Sequence, residues 1–136
     1  MPNSSPPWVT PAQFVVIDSG GQPVVPSPAN EAPAGGAGEY VGADDSYQVI
    51  VSWTVTAGRT GLLIDIEMVS TIPNSTNWKV EIGDTVFMVD LLQQSSLSLP
   101  FANLQLAAGT VVKVSVLSTD GSTITADACI VAKETF

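Results

Sequence analysis

Apolar and polar residues alternate along most of the chain from Ser46 onward. Val49, Val51, Trp53 and Val55 fall on one side of an extended segment that Thr56-Ala57-Gly58 closes, and Leu62, Ile64, Ile66 and Met68 form the next apolar face, with Asp65 and Glu67 opposite. After a turn at Pro73-Asn74-Ser75, Trp78, Val80 and Ile82 alternate with Asn77, Lys79 and Glu81. A period of two with one apolar face is the mark of a half-buried antiparallel strand. Gly83-Asp84 turns into Thr85 to Leu92, apolar on both faces, and further strands run from Ser96 to Phe101, Thr110 to Ser118 and Ser122 to Lys133. Asp120-Gly121 between β-branched runs predicts a closing hairpin. Asn103 to Ala108 allows at most one helical turn. Seven short strands separated by turn signals predict an all-β fold, an antiparallel β-sandwich or jelly roll. The small inner face of the last strand, Ala126, Ala128, Ile130 and Ala132, leaves room for a bulky ring such as Trp53 or Trp78 in the facing layer.

Residues 1 to 45 read differently. Eight of the ten prolines lie at or before Pro33 and six of the eleven glycines at or before Gly42. This composition predicts a long extended N-terminal arm (1–45) ahead of the sandwich domain (46–136). Pro23, Pro26, Pro28 and Pro33 impose extended geometry, and Gly35-Gly36-Ala37-Gly38 reads as a flexible hinge. The arm's one apolar run, Phe14, Val15, Val16 and Ile17, and its proline-framed Trp8 are costly to leave in water, so these five residues are its expected partner-binding anchors. On this reading, removal of residues 1 to 42 leaves the β body folded.

Thirteen acids against four cations, with no histidine, give a net charge of −9. Nucleic acid is therefore not an expected partner, because phosphate binding needs clustered Lys or Arg and these four stand singly. An anionic membrane surface is disfavoured for the same reason. The arm itself carries five acids and no cation. Cys129 is the only cysteine, which rules out an intrachain disulfide and a Cys/His zinc site. No apolar stretch approaches membrane-spanning length, and the first residues lack a charged and then apolar leader. A protein made and kept in the cytoplasm, unless exported as part of a larger object, is expected, with no cofactor and no metal.

One motif has a catalytic meaning. Phe14-Val15-Val16-Ile17-Asp18-Ser19-Gly20 resembles the Asp-Ser/Thr-Gly loop of retroviral-type aspartic proteases, in which two carboxylates share a proton. Asp18-Ser19-Gly20 is also an ordinary turn, and the proline-rich text that follows lacks the strands needed to hold such a loop, so the turn is preferred. The missing histidine excludes Ser-His-Asp chemistry. Asp44, Asp45, Asp84, Asp90 and Asp120 have no calcium-loop spacing and read as solvated turn acids. Trp53 and Trp78, candidates for a sugar-stacking platform together with Trp8, Tyr40 and Tyr47, alternate in phase with aliphatic neighbours and read as core. No catalytic residue is assigned and the chain is expected not to be an enzyme.

Leu63, Val69, Phe87, Val89, Leu91, Val111, Leu117 and Val131 all fall on faces that a solvated sheet keeps polar. A small sandwich has a modest core, and an apolar excess of this kind marks a subunit or partner contact. Phe87, Val89 and Leu91 are the expected oligomer interface.

The stretch from Thr56 to Glu134 resembles the small jelly-roll decoration, or cement, proteins of tailed bacteriophage capsids. The likeness rests on Thr56-Ala57-Gly58 leading into Leu62-Leu63-Ile64-Asp65-Ile66, on Leu99-Pro100-Phe101-Ala102-Asn103-Leu104-Gln105-Leu106-Ala107-Ala108-Gly109-Thr110 leading into the Val111 to Leu117 strand, and on Asp120-Gly121 before a closing strand ending in Glu134. The resemblance implies a structural protein on the virion exterior, made in the host cytoplasm. It further implies a homotrimer whose arm grips the major capsid protein and whose role is to stabilise the head. The alternative from another class is a carbohydrate-binding or adhesin-like surface module.

Overall fold

A computed structural model describes residues 19–21, 30–92 and 95–136. Trp8, Phe14, Val15, Val16, Ile17 and Asp18 lie outside the described residues. Eight strands form two four-stranded sheets: β1 (Glu31–Gly42), β2 (Gln48–Thr54), β3 (Thr60–Ser70), β4 (Thr76–Ile82), β5 (Thr85–Leu92), β6 (Leu97–Leu106), β7 (Val111–Ser118) and β8 (Ile124–Thr135), with a short 3-10 turn at Pro73–Ser75 before β4. Sheet 1 has the order β1-β8-β3-β6 and sheet 2 the order β2-β7-β4-β5. Every pairing is antiparallel. First pairs with last, second with seventh, third with sixth and fourth with fifth, which is the wrapped order of an eight-stranded jelly roll.

Three features depart from the sequence reading. Glu31–Gly42, assigned to the arm by its composition, is a full strand paired along its length with β8, from Glu31 opposite Thr135 to Gly42 opposite Ile124. Its glycines are spacers rather than a hinge. A Cβ at Gly38 would run into the backbone carbonyl of Ile50, and one at Gly35, which has φ of +99°, into that of Ile130. Only glycine lets two backbones approach this closely, and the contact seals the corner where β1 of sheet 1 meets β2 of sheet 2. Since β1 belongs to the sandwich, removing residues 1 to 42 would strip an edge strand from it. Second, Asp120-Gly121 does not close a hairpin. It joins β7 in sheet 2 to β8 in sheet 1, and Asp120 is occupied in holding that crossover: one carboxylate oxygen accepts from Ser75 Oγ at 2.7 Å, the other from the Ser122 N–H at 2.9 Å. Among the described strands, β4 and β5, joined through Gly83-Asp84, are the one pair of sequence neighbours bonded to each other.

Third, bulges shift the phase of the alternation. An irregularity at Ile50 turns Val49 out to solvent while Val51, Trp53 and Val55 stay buried. Another, between Leu63 and Asp65, breaks the expected Leu62-Ile64-Ile66-Met68 face, so that Leu63, Ile66 and Met68 point inward. One extra residue reverses every side chain beyond it, which is why strict alternation misassigns the residues upstream. In β4 and β8 the pattern holds. Trp78, Val80 and Ile82 of β4 and Ile124, Ala126, Ala128, Ile130 and Ala132 of β8 are buried, and Trp53 and Trp78 both belong to the core.

Candidate interaction surfaces

The two sheets meet closely on one side, through β1 and β2, and are bridged on the other by aromatic rings. There Phe87 of β5 stands edge-on to Phe101 of β6, ring centroids 6.4 Å apart and planes at 86°. Met88, Leu97, Leu99, Phe101 and Leu104 are partly buried against the core behind this contact. The three interface residues expected from the sequence lie along this margin and are open: Phe87 is 53% exposed, Val89 54% and Leu91 38%, with Val86 and Leu92 exposed beside them. Of the other residues read as outward, Val69 and Val131 are exposed, Val111 and Leu117 are half-buried, and Leu63 is fully buried because of the bulge in β3.

β5 is an edge strand, bonded to β4 alone. Its register slips twice, between the partners of Trp78 and Val80 and again between those of Val80 and Glu81. These slips aim side chains that strict alternation would bury. Asp90 sits in this irregular stretch with φ of +53°, a conformation that Asp tolerates better than most residues when a local hydrogen bond supports it. Tyr47, from the loop before β2, supplies that support. Its hydroxyl donates to Asp90 Oδ1 at 2.6 Å and accepts from the Asp90 N–H at 2.8 Å. Lys79 lies over the Tyr47 ring, 5.7 Å from its centroid. Tyr47 thus ties the loop before β2 to the irregular stretch of β5. Partial burial, and then the hydrogen bond to Asp90, push the Tyr47 hydroxyl up to about 12. Sequence reading grouped Tyr47 with candidate sugar platforms, and no local signal links it to an aspartate 43 positions away.

At the opposite end, Glu134 is a buried carboxylate. Its Oε1 accepts from Trp53 Nε1 at 3.1 Å, from the Thr56 N–H at 3.0 Å and from the Thr56 hydroxyl at 3.2 Å, while Oε2 lies 3.4 Å from the Arg59 guanidinium. The Thr56 N–H is foremost in holding this carboxyl below its ordinary value, assisted by the Thr56 hydroxyl, Trp53 and Arg59 against the opposing effect of burial. The group fixes the β2–β3 turn onto β8. Arg59 also stacks on Phe136, 4.1 Å from the ring centroid. This is a structural lock at the base of the sandwich.

Three of the five turn acids have hydrogen-bond partners. Asp44 accepts from the Tyr40 hydroxyl at 2.6 Å, Asp90 from Tyr47 and Asp120 from Ser75. Among the described residues, no group of three or more His, Cys, Asp or Glu side chains is placed to hold a metal ion. The burial of Trp53 and Trp78 removes both from any exposed aromatic platform. A scan against protein-family models finds no match, and a search of curated proteins finds none either.

Proposed function

We propose that this chain is a non-catalytic structural module that assembles with copies of itself through the β5 margin and decorates the exterior of a tailed-phage capsid. The observation that carries the self-association is the row Val86, Phe87, Val89, Leu91 and Leu92 on an edge strand. An apolar edge with free strand-bonding groups is a liability that proteins usually blunt with charge, proline or cover. β6, the neighbouring edge, shows such blunting, with Pro100 in the strand and Ala102 and Asn103 at positive φ. On β5 the one charge, Asp90, is tied back by Tyr47. Burial of this row against another copy supplies apolar contact beyond what a core of this size contains. The capsid reading draws further support from the resemblance of the 56–134 segment to decoration proteins and from a jelly-roll body that follows a proline-rich N-terminal segment.

Light scattering on the purified protein at tens of micromolar tests the first part, with a trimer expected. F87D combined with V89K should give a folded monomer. A wild-type monomer would refute the assembly. Cosedimentation with assembled phage heads, scored by protection of the heads against heat or chelator, tests the second part. Oligomers that neither bind nor protect heads would overturn the capsid reading and leave the assembly standing.

A further inference from the structure

The outer face of sheet 1 carries a groove of about 790 Å³ that crosses all four strands. Two rows of residues define it. In the first, Glu39 of β1, Asp127 of β8 and Val69 of β3 lie side by side; in the second, Ala37, Cys129, Glu67 and Ser98 do. Ala37, Cys129 and Val69 supply apolar lining between the acids.

Glu39 and Asp127 are directly opposed across an antiparallel pair, which puts their Cβ atoms about 5 Å apart, and Glu67 lies on the diagonal from Asp127 at about 7–8 Å. Like charges in direct opposition destabilise a sheet. Among the described residues, each of the four cations is paired elsewhere. Arg59 is held by Glu134, Lys79 and Lys113 by Glu81, and Lys133 by Glu31. No Lys, Arg or His lies in residues 1–58, so the side chains of that segment bring no positive charge to the face, and a second copy of the face would add three more carboxylates.

We propose that this groove docks a short, extended, basic segment of a different protein, with alternate cationic side chains set against Glu39, Asp127 and Glu67 and the intervening backbone over Ala37 and Cys129. An extended chain repeats on one side every ~6.6 Å, comparable with the spacing of the three carboxylates, and the apolar lining favours a peptide over a bare cation. This inference is independent of the assembly through β5, which lies on the other sheet.

Cys129, the single thiol, lies in the groove and reports on its occupancy. The probe is a pentapeptide of alternating lysine and valine, and the readout is the alkylation rate of Cys129 by neutral iodoacetamide, followed by mass spectrometry at low ionic strength. The peptide should slow alkylation at least fivefold. A glutamate-valine peptide and spermidine at equal charge should have little effect. The double variant E39Q/D127N should lose the protection about tenfold in peptide concentration, while its melting temperature stays level or rises as the repulsion is removed. Absence of protection, equal protection by spermidine, or full protection of a folded E39Q/D127N would each overturn the proposal.

Discussion

Replacing Glu134 with alanine tests whether one buried carboxylate holds the base of the sandwich. The Trp53 indole N–H, on a side chain only 6% exposed, would lose its acceptor with little access to water, at a cost of about 1–3 kcal/mol. The two Thr56 donors are partly buried and would recover part of their bonding from solvent, leaving about 1 kcal/mol. Arg59, with a third of its side chain exposed, would rehydrate, so its ion pair contributes no more than about 0.5 kcal/mol. The expected loss is therefore about 2–4.5 kcal/mol, which for a domain of this size lowers the melting temperature by roughly 7–20 °C. Urea denaturation followed by tryptophan fluorescence measures it directly. The isosteric Glu134→Gln variant adds a pH test. Because the folded-state pKa of Glu134 is depressed below its ordinary 4.5, its contribution is fully present above that value and is lost as pH falls through the folded pKa. The stability gap between wild type and Glu134→Gln should accordingly be wide at pH 7 and narrow below pH 4.5. A Glu134→Ala loss under 1 kcal/mol, or a gap to Glu134→Gln that does not change with pH, would refute the lock.

Tyr47→Phe removes the tie to Asp90 and should cost about 1 kcal/mol. Because the tyrosine pKa is raised to about 12, the wild-type advantage should be constant below pH 10 and vanish as pH rises toward 12, as read by thermal melts across that range. Gly38→Ala forces a methyl group against the Ile50 carbonyl and should destabilise the protein by on the order of 1–3 kcal/mol, measured by chemical denaturation. Two truncations separate the N-terminal segment from the sandwich. A protein lacking residues 1–29 should keep a cooperative melt, whereas one lacking residues 1–42 has lost β1 and should melt far lower or aggregate; equal melting of the two would show that β1 adds nothing to the fold.

The strands of the body were legible because burial on one face writes a period of two into the sequence, and Trp78, Val80 and Ile82 or Ala126, Ala128 and Ala132 follow it without interruption. β1 was not legible. Its inward positions include glycines chosen for backbone proximity, and proximity leaves the same letters as flexibility. The bulges at Ile50 and near Ile64 were invisible for a related reason: they are defined by the partner strand, so the phase reversal that buried Leu63 and exposed Val49 has no local cause to read. The exposed run on β5 was visible as an excess of apolar letters on both faces. Its fixation by Tyr47, and the convergence of Trp53, Thr56 and Arg59 on Glu134, depend on pairs distant in sequence, where spacing carries no information.

The pairing of β1 with β8 also sets an order of events. β8 is an interior strand of sheet 1, flanked by β1 and β3, and the Phe136 N–H bonds the carbonyl of Asn30 at 3.0 Å. During synthesis, β1 and β3 therefore emerge long before the strand that joins them, and sheet 1, apart from its β3–β6 pair, cannot form until β8 has left the ribosome. Sheet 2 has the β4–β5 hairpin as its one local nucleus, and its remaining pairings close progressively longer loops. Folding should start at that hairpin and wrap outward pair by pair, with β1 annealing last. A nascent chain stopped before Ile124 would hold an exposed apolar β5 beside an unclosed sheet, so in the cell the interval before β8 emerges is the one in which premature strand pairing between copies must be prevented.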